Sequence, residues 1–479
     1  MPAHQLHNFI HGEPAKPLSG KFAPIVNPSD GEVIAEAPVS SPEDVSRATK
    51  SAREAFRSWR RATPAERSLA LIRIADSVQE RAEELVRAEC DNTGKPFGLT
   101  MSEEIPPMVD QVRFYAAAAR VLEGRAATEY MAGHTSYVRR EPVGVCAAVT
   151  PWNYPMMMAL WKWAPALAAG NTMVLKPSDT TPMSTLLLAQ IVAEHVPPGV
   201  LNIICGDRDT GRALVADPVP AMVSLTGSVR AGMEVAASAA SDVKKVHLEL
   251  GGKAPVIVFD DADVTPTAEA IAVAGYFNAG QDCTAATRVL ASPKIHTDLV
   301  DALVEQARST KVGPYVAGSP DADYGPLNNA TQFERVKGFM DRTPSHAQVL
   351  TGGSQVGERG FCFAPTVVAG LRQDDEMVQR EVFGPVITVQ RFEDEAQALE
   401  WANGVEFGLA ASVWTRDHGR AMRMSRDLDF GCVWVNTHIP LVAEMPHGGF
   451  KHSGYGKDLS VYGFEEYTRV KHVMSRIED

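Results

Sequence analysis

The sequence predicts an α/β fold built on two mainly parallel sheets, and three features carry the prediction. Short apolar runs recur at intervals of roughly twenty to thirty residues from residue 143 onward. Stretches of helical length and periodicity lie between them, and the same rhythm restarts after Gly251-Gly252. Strands alternating with helices are the pattern of βαβ units, in which each crossover helix covers a face of a parallel sheet.

Taken in order, residues 41–120 read as mostly helical, with Pro42 and Pro64 placed where helices begin, because a helix's first N–H groups have no intrahelical partner to lose. The first set of strands is expected at 143–149, 172–175, 201–205, 222–225 and 245–250, with helices such as 181–195 and 231–241 between them. A second set follows at 255–259, 288–291, 386–391, 410–414 and 432–436, with helices near 296–309, 331–342, 394–403 and 417–427. Two alternating, charged pieces, 135–141 and 466–477, fit neither sheet. They read either as a solvated hairpin or as edge strands that extend a partner's sheet.

Composition excludes several classes. Lys and Arg total 46 against 59 Asp and Glu, a net charge of -13, and nucleic-acid binding needs clustered cations to release counterions. The longest apolar run, 156–170, is interrupted by Lys162 and Pro165 and falls short of the ~18 residues of a membrane span. Residues 1–16 lack the basic and apolar blocks of a secretion signal, so a cytoplasmic location is expected. The six cysteines are too widely spaced for C-x-x-C metal or redox motifs or for a disulfide scaffold, and no metal is expected. Cys146, Cys205 and Cys432 lie in apolar strand-like runs and read as buried hydrophobes. Cys283, in Phe277-Asn278-Ala279-Gly280-Gln281-Asp282-Cys283-Thr284, is flanked by polar and glycine residues, where a ligand can reach a thiol.

Four other segments carry candidate chemistry. Thr226-Gly227-Ser228 follows a strand and opens a helix, a turn whose free N–H groups suit a phosphate. Pro151-Trp152-Asn153-Tyr154-Pro155 and Lys176-Pro177-Ser178-Asp179 both fall at carboxyl ends of expected parallel strands, where open α/β sheets bind ligands. His247-Leu248-Glu249-Leu250-Gly251-Gly252 sets a carboxylate in an apolar strand, where it must be paired, protonated or functional.

Pro151 to Pro155, Lys176-Pro177-Ser178, Glu249-Leu250-Gly251-Gly252, Gly280-Gln281-Asp282-Cys283 and Glu381-Val382-Phe383-Gly384-Pro385 resemble the signature segments of the aldehyde dehydrogenase superfamily, in family order and over almost the whole chain. Residues 251–263 and 434–449 most resemble bacterial γ-aminobutyraldehyde dehydrogenases. The resemblance implies a Rossmann-like NAD-binding domain (1–120 and 142–250), an α/β catalytic domain (251–452) and a small β oligomerisation element (121–141 and 453–479) of a homo-tetramer or homo-dimer. It implies NAD as cofactor and oxidation of an aldehyde to its acid through a Cys283 thiohemiacetal and thioester. In that scheme the Asn153 amide and the Cys283 N–H hold the oxyanion, and Glu249 is the base. Lys162 and Asp458 occupy positions of a proton path in relatives, although many relatives carry Glu in place of Asp458.

The cofactor residues implied are Thr150, Pro151, Trp152, Lys176, Ser178, Asp179, Gly227, Ser228, Glu381 and Phe383. The substrate is expected to meet Tyr154, Met157, Met158 and Trp161, with Asp110, Glu103, Glu104 and Glu444 as acids near the mouth, and Glu444 near an unusual His447. Those acids favour γ-aminobutyraldehyde, a substrate of polyamine catabolism. Betaine aldehyde and succinic semialdehyde are the alternative substrates. A catalytically silent structural protein or a thiol sensor built on Cys283 is the non-enzyme alternative.

Overall fold

A computed structural model describes residues 4–316 and 322–477. Residues 1–3, 317–321 and 478–479, which fall within the expected domain ranges, lie outside the described residues.

Among the described residues the first sheet has eight strands, in the order Gly454–Tyr455, Lys245–Glu249, Met222–Thr226, Val145–Val149, Thr172–Lys176, Leu201–Ile203, Asn8–Ile10 and Glu13–Ala15. Its five central strands run parallel, with Val145–Val149 between Met222–Thr226 and Thr172–Lys176. Chain connections diverge from Val145–Val149 to either side, so a crevice opens beyond its carboxyl end, the position at which such sheets take ligands. The second sheet has seven strands among the described residues, ordered Gln348–Thr351, Thr366–Ala369, Val386–Arg391, Arg288–Ala291, Pro255–Val258, Ala410–Trp414 and Cys432–Val435, all parallel except the first. Strands such as Thr172–Lys176 and Pro255–Val258 are buried at every residue, as parallel strands covered on both faces must be.

The helices ahead of the first sheet start on the residues the sequence marks. Ser41 and Asp44 form a reciprocal cap for Pro42–Trp59, and Thr63 and Glu66 form another for Pro64–Glu80. Each such cap satisfies two N–H groups that the helix leaves free. Several elements were not legible in the sequence. Residues 4–38 form five short strands, and Gln348–Thr351 and Thr366–Ala369 extend the second sheet; their runs of two to six residues are too short to show a period.

The two charged alternating pieces pair with each other within one chain. His134–Pro142 runs antiparallel to Thr468–Arg476, from Thr468 opposite Pro142 to Arg476 opposite His134, and Thr128–Met131 adds a third strand. The tail strand starts later than expected, because Ser460–Glu466 is helical. Gly454–Tyr455, grouped with the tail in the sequence reading, joins the first sheet beside Leu248 and Glu249. Among the described residues no helix is long and apolar enough to cross a membrane.

Candidate active site

A cavity of about 800 Å³ opens where the carboxyl ends of the first sheet's strands meet the loop bearing Cys283. Glu249 is the last residue of Lys245–Glu249, and the chain then turns through Gly251-Gly252. A Cβ on Gly252 would stand 2.1 Å from the Cys283 carbonyl oxygen. Only a glycine there lets the base-bearing strand and the thiol-bearing loop approach this closely. The Gly252 N–H also donates to Glu381 Oε1 at 2.9 Å, which brings a third segment to the same place.

Asn153 follows Val145–Val149 and precedes the helix Pro155–Ala168. Its amide donates to the Gln281 carbonyl at 3.0 Å, while Asn278 donates to the Asn153 carbonyl at 2.9 Å. These bonds lock Asn153 to the Cys283 loop. One amide N–H is used, and the second remains available to an oxyanion beside the thiol.

Burial sets the electrostatics. The Cys283 thiol is held well above its ordinary range, first by burial and then by the neighbouring carboxylates Asp282, Glu249 and Glu381. Glu249 is 3% exposed and also held well above the usual carboxylate range, by burial first and by Asp458 next. Its Oε1 has no hydrogen-bond partner. Burial lifts Glu381 to about 7 and lowers His447 to about 4. A carboxyl shifted upward in this way is a better proton acceptor near neutrality than an exposed one.

The sequence-nominated residues divide into groups. Pro151, Trp152, Gly227, Ser228, Glu381 and Phe383 line the cavity, as do Asn153, Tyr154, Met157, Met158, Trp161, Glu249, Cys283, His447 and Asp458. Ser228 caps the helix Val229–Ala240 by accepting from the Ala231 N–H. Thr150, Lys176, Ser178 and Asp179 do not line this cavity. They stand at the ends of the two adjacent strands, where the Lys176 ammonium donates to the Pro177 and Gly206 carbonyls at 2.7 Å each and Asp179 is exposed. Lys162 is fully buried behind the wall, 2.5 Å from Asp458 Oδ2.

Two substrate nominations lie elsewhere. Asp110 sits on the outward face of Ile105–Ala118, whose inward face buries Met108, Val109, Gln111 and Val112, and Glu444 is exposed in its loop. Neither lines the cavity. Glu104 does, but it is bound to Lys95 at 2.7 Å within a buried Glu89–Lys95–Glu104 cluster. Glu103 is the exposed mouth acid that remains in the lining.

The sequence reading gave no role to several residues that the structure brings in. Asp282 Oδ2 accepts from the Tyr154 hydroxyl at 2.8 Å, fixing the ring beside the thiol. Gln332 and Arg335 reach in from Ala330–Asp341 and donate to the carbonyls of Phe383 and Glu381. His247 lies two residues before Glu249 on one strand, so both side chains share a face. That spacing was a usable signal for His247; Gln332 and Arg335 had none, since their helix is distant in sequence.

The model of the aldehyde dehydrogenase family matches residues 16–473. The chain belongs to that family. A structure of betaine aldehyde dehydrogenase from Staphylococcus aureus in complex with NAD+ is 34% identical and matches at a TM-score of 0.95, over 99% of this chain and 95% of that one. A point variant of an aldehyde dehydrogenase from Bacillus cereus is 35% identical, with a TM-score of 0.96 over 99% and 97% of the two chains. This member of the aldehyde dehydrogenase family therefore has the α/β architecture expected from its sequence, over essentially its full length.

Proposed function

We propose that the protein oxidises an aldehyde to its carboxylic acid with NAD, with Cys283 as nucleophile and Glu249 as base. The observation that carries this reading is the presence of Cys283, Glu249 and Asn153 on the wall of one cavity. The Cys283 sulfur, once deprotonated, adds to the carbonyl carbon, and the oxyanion is met by the Asn153 amide and the Cys283 N–H. Bound NAD would supply the hydride acceptor that this adduct needs to become a thioester. Glu249 then takes a proton from the water that attacks the thioester carbon, the acid departs, and the thiol is restored.

The residues present suit that cofactor. The Gly227-Ser228 turn offers a helix N-terminus to a pyrophosphate, the Glu381 carboxylate stands ready for a ribose hydroxyl, and the buried Thr150 and Thr226 hydroxyls have no other partner. In this reading residues 1–120 and 142–250 hold NAD, with Lys176, Ser178 and Asp179 toward the adenosine ribose, and residues 251–452 carry the thiol. Residues 121–141 and 453–479 serve assembly into a homo-dimer or homo-tetramer. Val470 and Met474 on the tail strand, 62% and 46% exposed, supply apolar surface for that contact.

For the substrate we propose γ-aminobutyraldehyde. Its aldehyde end fits the apolar wall of Met157 and Met158, and its ammonium end fits the ring of Trp161 and the carboxylate of Glu103. Arg335 is the one arginine lining the cavity among the described residues, and it is engaged at the Glu381 carbonyl, which disfavours the carboxylate of succinic semialdehyde. Betaine aldehyde, also a cation, is the second reading, favoured by the Staphylococcus relative.

The test is a kcat/KM panel of γ-aminobutyraldehyde, betaine aldehyde, succinic semialdehyde and butyraldehyde, each with NAD and with NADP. A preference for the aminoaldehyde and for NAD is expected. Equal values for butyraldehyde and γ-aminobutyraldehyde sink the substrate assignment, and folded protein that forms no NADH with any aldehyde sinks the enzyme assignment.

A further inference from the structure

Behind Glu249 lies a cluster of buried polar atoms that the chemistry above does not use. Among the described residues His247 Nε2, Glu249 Oε1 and Asp458 Oδ1 each lack a hydrogen-bond partner. Nε2 is 3.7 Å from Glu249 Oε1 and 3.9 Å from Asp458 Oδ1. All three residues are buried, and they offer ligand atoms that lie within 4.8 Å of one another. A buried polar atom left unpaired is destabilising, so three around one point require a common account.

The geometry on the other side of the ring supplies it. His247 Nδ1 lies 3.1 Å from the Ser224 hydroxyl, on the neighbouring strand in register with it. The imidazole is neutral, because burial, followed by the Lys162, Lys245 and Lys457 ammonium groups and His447, pushes its pKa well below the ordinary histidine value. A neutral ring carries one N–H. A lone pair on Nε2 would face two carboxylate oxygens, whereas an Nε2–H faces them favourably. The fitting tautomer therefore accepts from Ser224 at Nδ1 and presents Nε2–H to the gap between the two carboxyl groups. Separations of 3.7 and 3.9 Å are too long for direct bonds and suit one bridging water. The Lys162 ammonium on the far oxygen of Asp458 makes water a better occupant than a metal cation.

We propose that His247 is a positioning residue for the base: its Nε2–H, fixed by Ser224, holds Glu249 Oε1 in place across a shared water and stabilises the ionised carboxylate. The proposal rests on the dehydrogenase reading above and adds to it a specific neighbour that sets the pH range over which Glu249 works. The other groups facing the pair are Lys162 and Asp458, the Lys457 ammonium on the Gly448 carbonyl, and His447, whose Nε2 is 3.9 Å from Glu249 Oε2. Glu466 acts on Asp458, which in turn holds the Tyr115 and Tyr467 hydroxyls above their ordinary values.

The experiment compares His247→Leu and His247→Gln with wild type, measuring the NADH burst and the steady-state kcat across pH. Gln returns an N–H donor near the position of Nε2; Leu does not. His247→Leu is expected to keep a stoichiometric burst, lose about tenfold in steady-state kcat near neutrality, and move the acid limb of kcat to higher pH. His247→Gln is expected to restore most of both. A wild-type pH profile in His247→Leu, or a His247→Gln variant as slow as His247→Leu, overturns the proposal. Should the Leu variant fail to fold, Ser224→Ala serves instead. It is expected to move the same limb in the same direction by a smaller amount, and an unmoved limb counts against the proposal. Wild-type protein that makes no NADH overturns the dehydrogenase reading and this proposal with it, which separates that failure from a failure of His247 alone.

Discussion

The nucleophile and the base face one cavity but rest on opposite kinds of support. Glu249 ends a central strand of a parallel sheet, with regular backbone and register fixed by Thr226 on one side and Gly454 on the other. What is unusual there is the company of its side chain: Asp458, two neutral histidines and several unpartnered polar atoms. Cys283 is the reverse case. The loop before it passes through three successive left-handed residues, Asn278, Ala279 and Gly280, at φ of 50, 57 and 66°, and such conformations cost non-glycine residues roughly 1–3 kcal/mol each. Asn153, Gln281 and Asn328 hold that loop through hydrogen bonds. The base is tuned through its surroundings and the thiol is aimed through its backbone, so perturbations of the two should separate kinetically.

The largest effect is expected at the atoms themselves. Cys283→Ser should lower kcat by roughly 10³-fold or more and remove the NADH burst, with NAD binding retained. Glu249→Gln should keep the burst and slow turnover by roughly 10²–10⁴-fold. Rapid-mixing absorbance at the NADH band distinguishes the two, and a missing burst in Glu249→Gln would place Glu249 before the thioester instead of after it.

Next come the glycines that guard each half. A Cβ on Gly280 would lie 2.2 Å from the Gly384 carbonyl oxygen, and one on Gly448 would lie 2.5 Å from Glu249 Oε1. Gly280→Ala should therefore displace the thiol loop and reduce the burst, whereas Gly448→Ala should spare the burst and slow the steady state. Identical kinetic signatures for these two variants would erase the distinction drawn here.

The pH dependence follows from the two upward shifts. Cys283 and Glu249 both act deprotonated, and both are held above their ordinary values by burial. Activity should be low in acid and rise through neutrality, with the limb well above the 4.5 of an ordinary glutamate. A kcat plateau already complete at pH 5 would contradict the burial argument for the base.

The smallest effect is expected at the mouth. Glu103 is exposed, and partly exposed ion pairs contribute about 0.2–1 kcal/mol. Glu103→Gln should thus cost γ-aminobutyraldehyde no more than severalfold in kcat/KM and leave butyraldehyde unchanged. An equal change for both aldehydes would assign Glu103 to structure and not to selectivity.

By itself the sequence determined the two parallel sheets and most of their strands, because buried strands and crossover helices leave different periods in the chain. It also marked the helix starts at Pro42 and Pro64, and nominated Cys283, Glu249 and Asn153, whose segments resemble a family's motifs closely. Local chemistry is visible in a chain; the direction in which a surface residue points is not. Tertiary structure alone decided that Asp110 and Glu444 face solvent, that Glu104 is bound to Lys95, and that the two charged alternating pieces pair with each other. It likewise brought Arg335 and Gln332 to the cavity and set His247 Nε2 between Glu249 and Asp458. Those outcomes depend on contacts between segments up to about 340 residues apart, and such contacts are chosen by how whole helices and sheets pack, which no local pattern encodes.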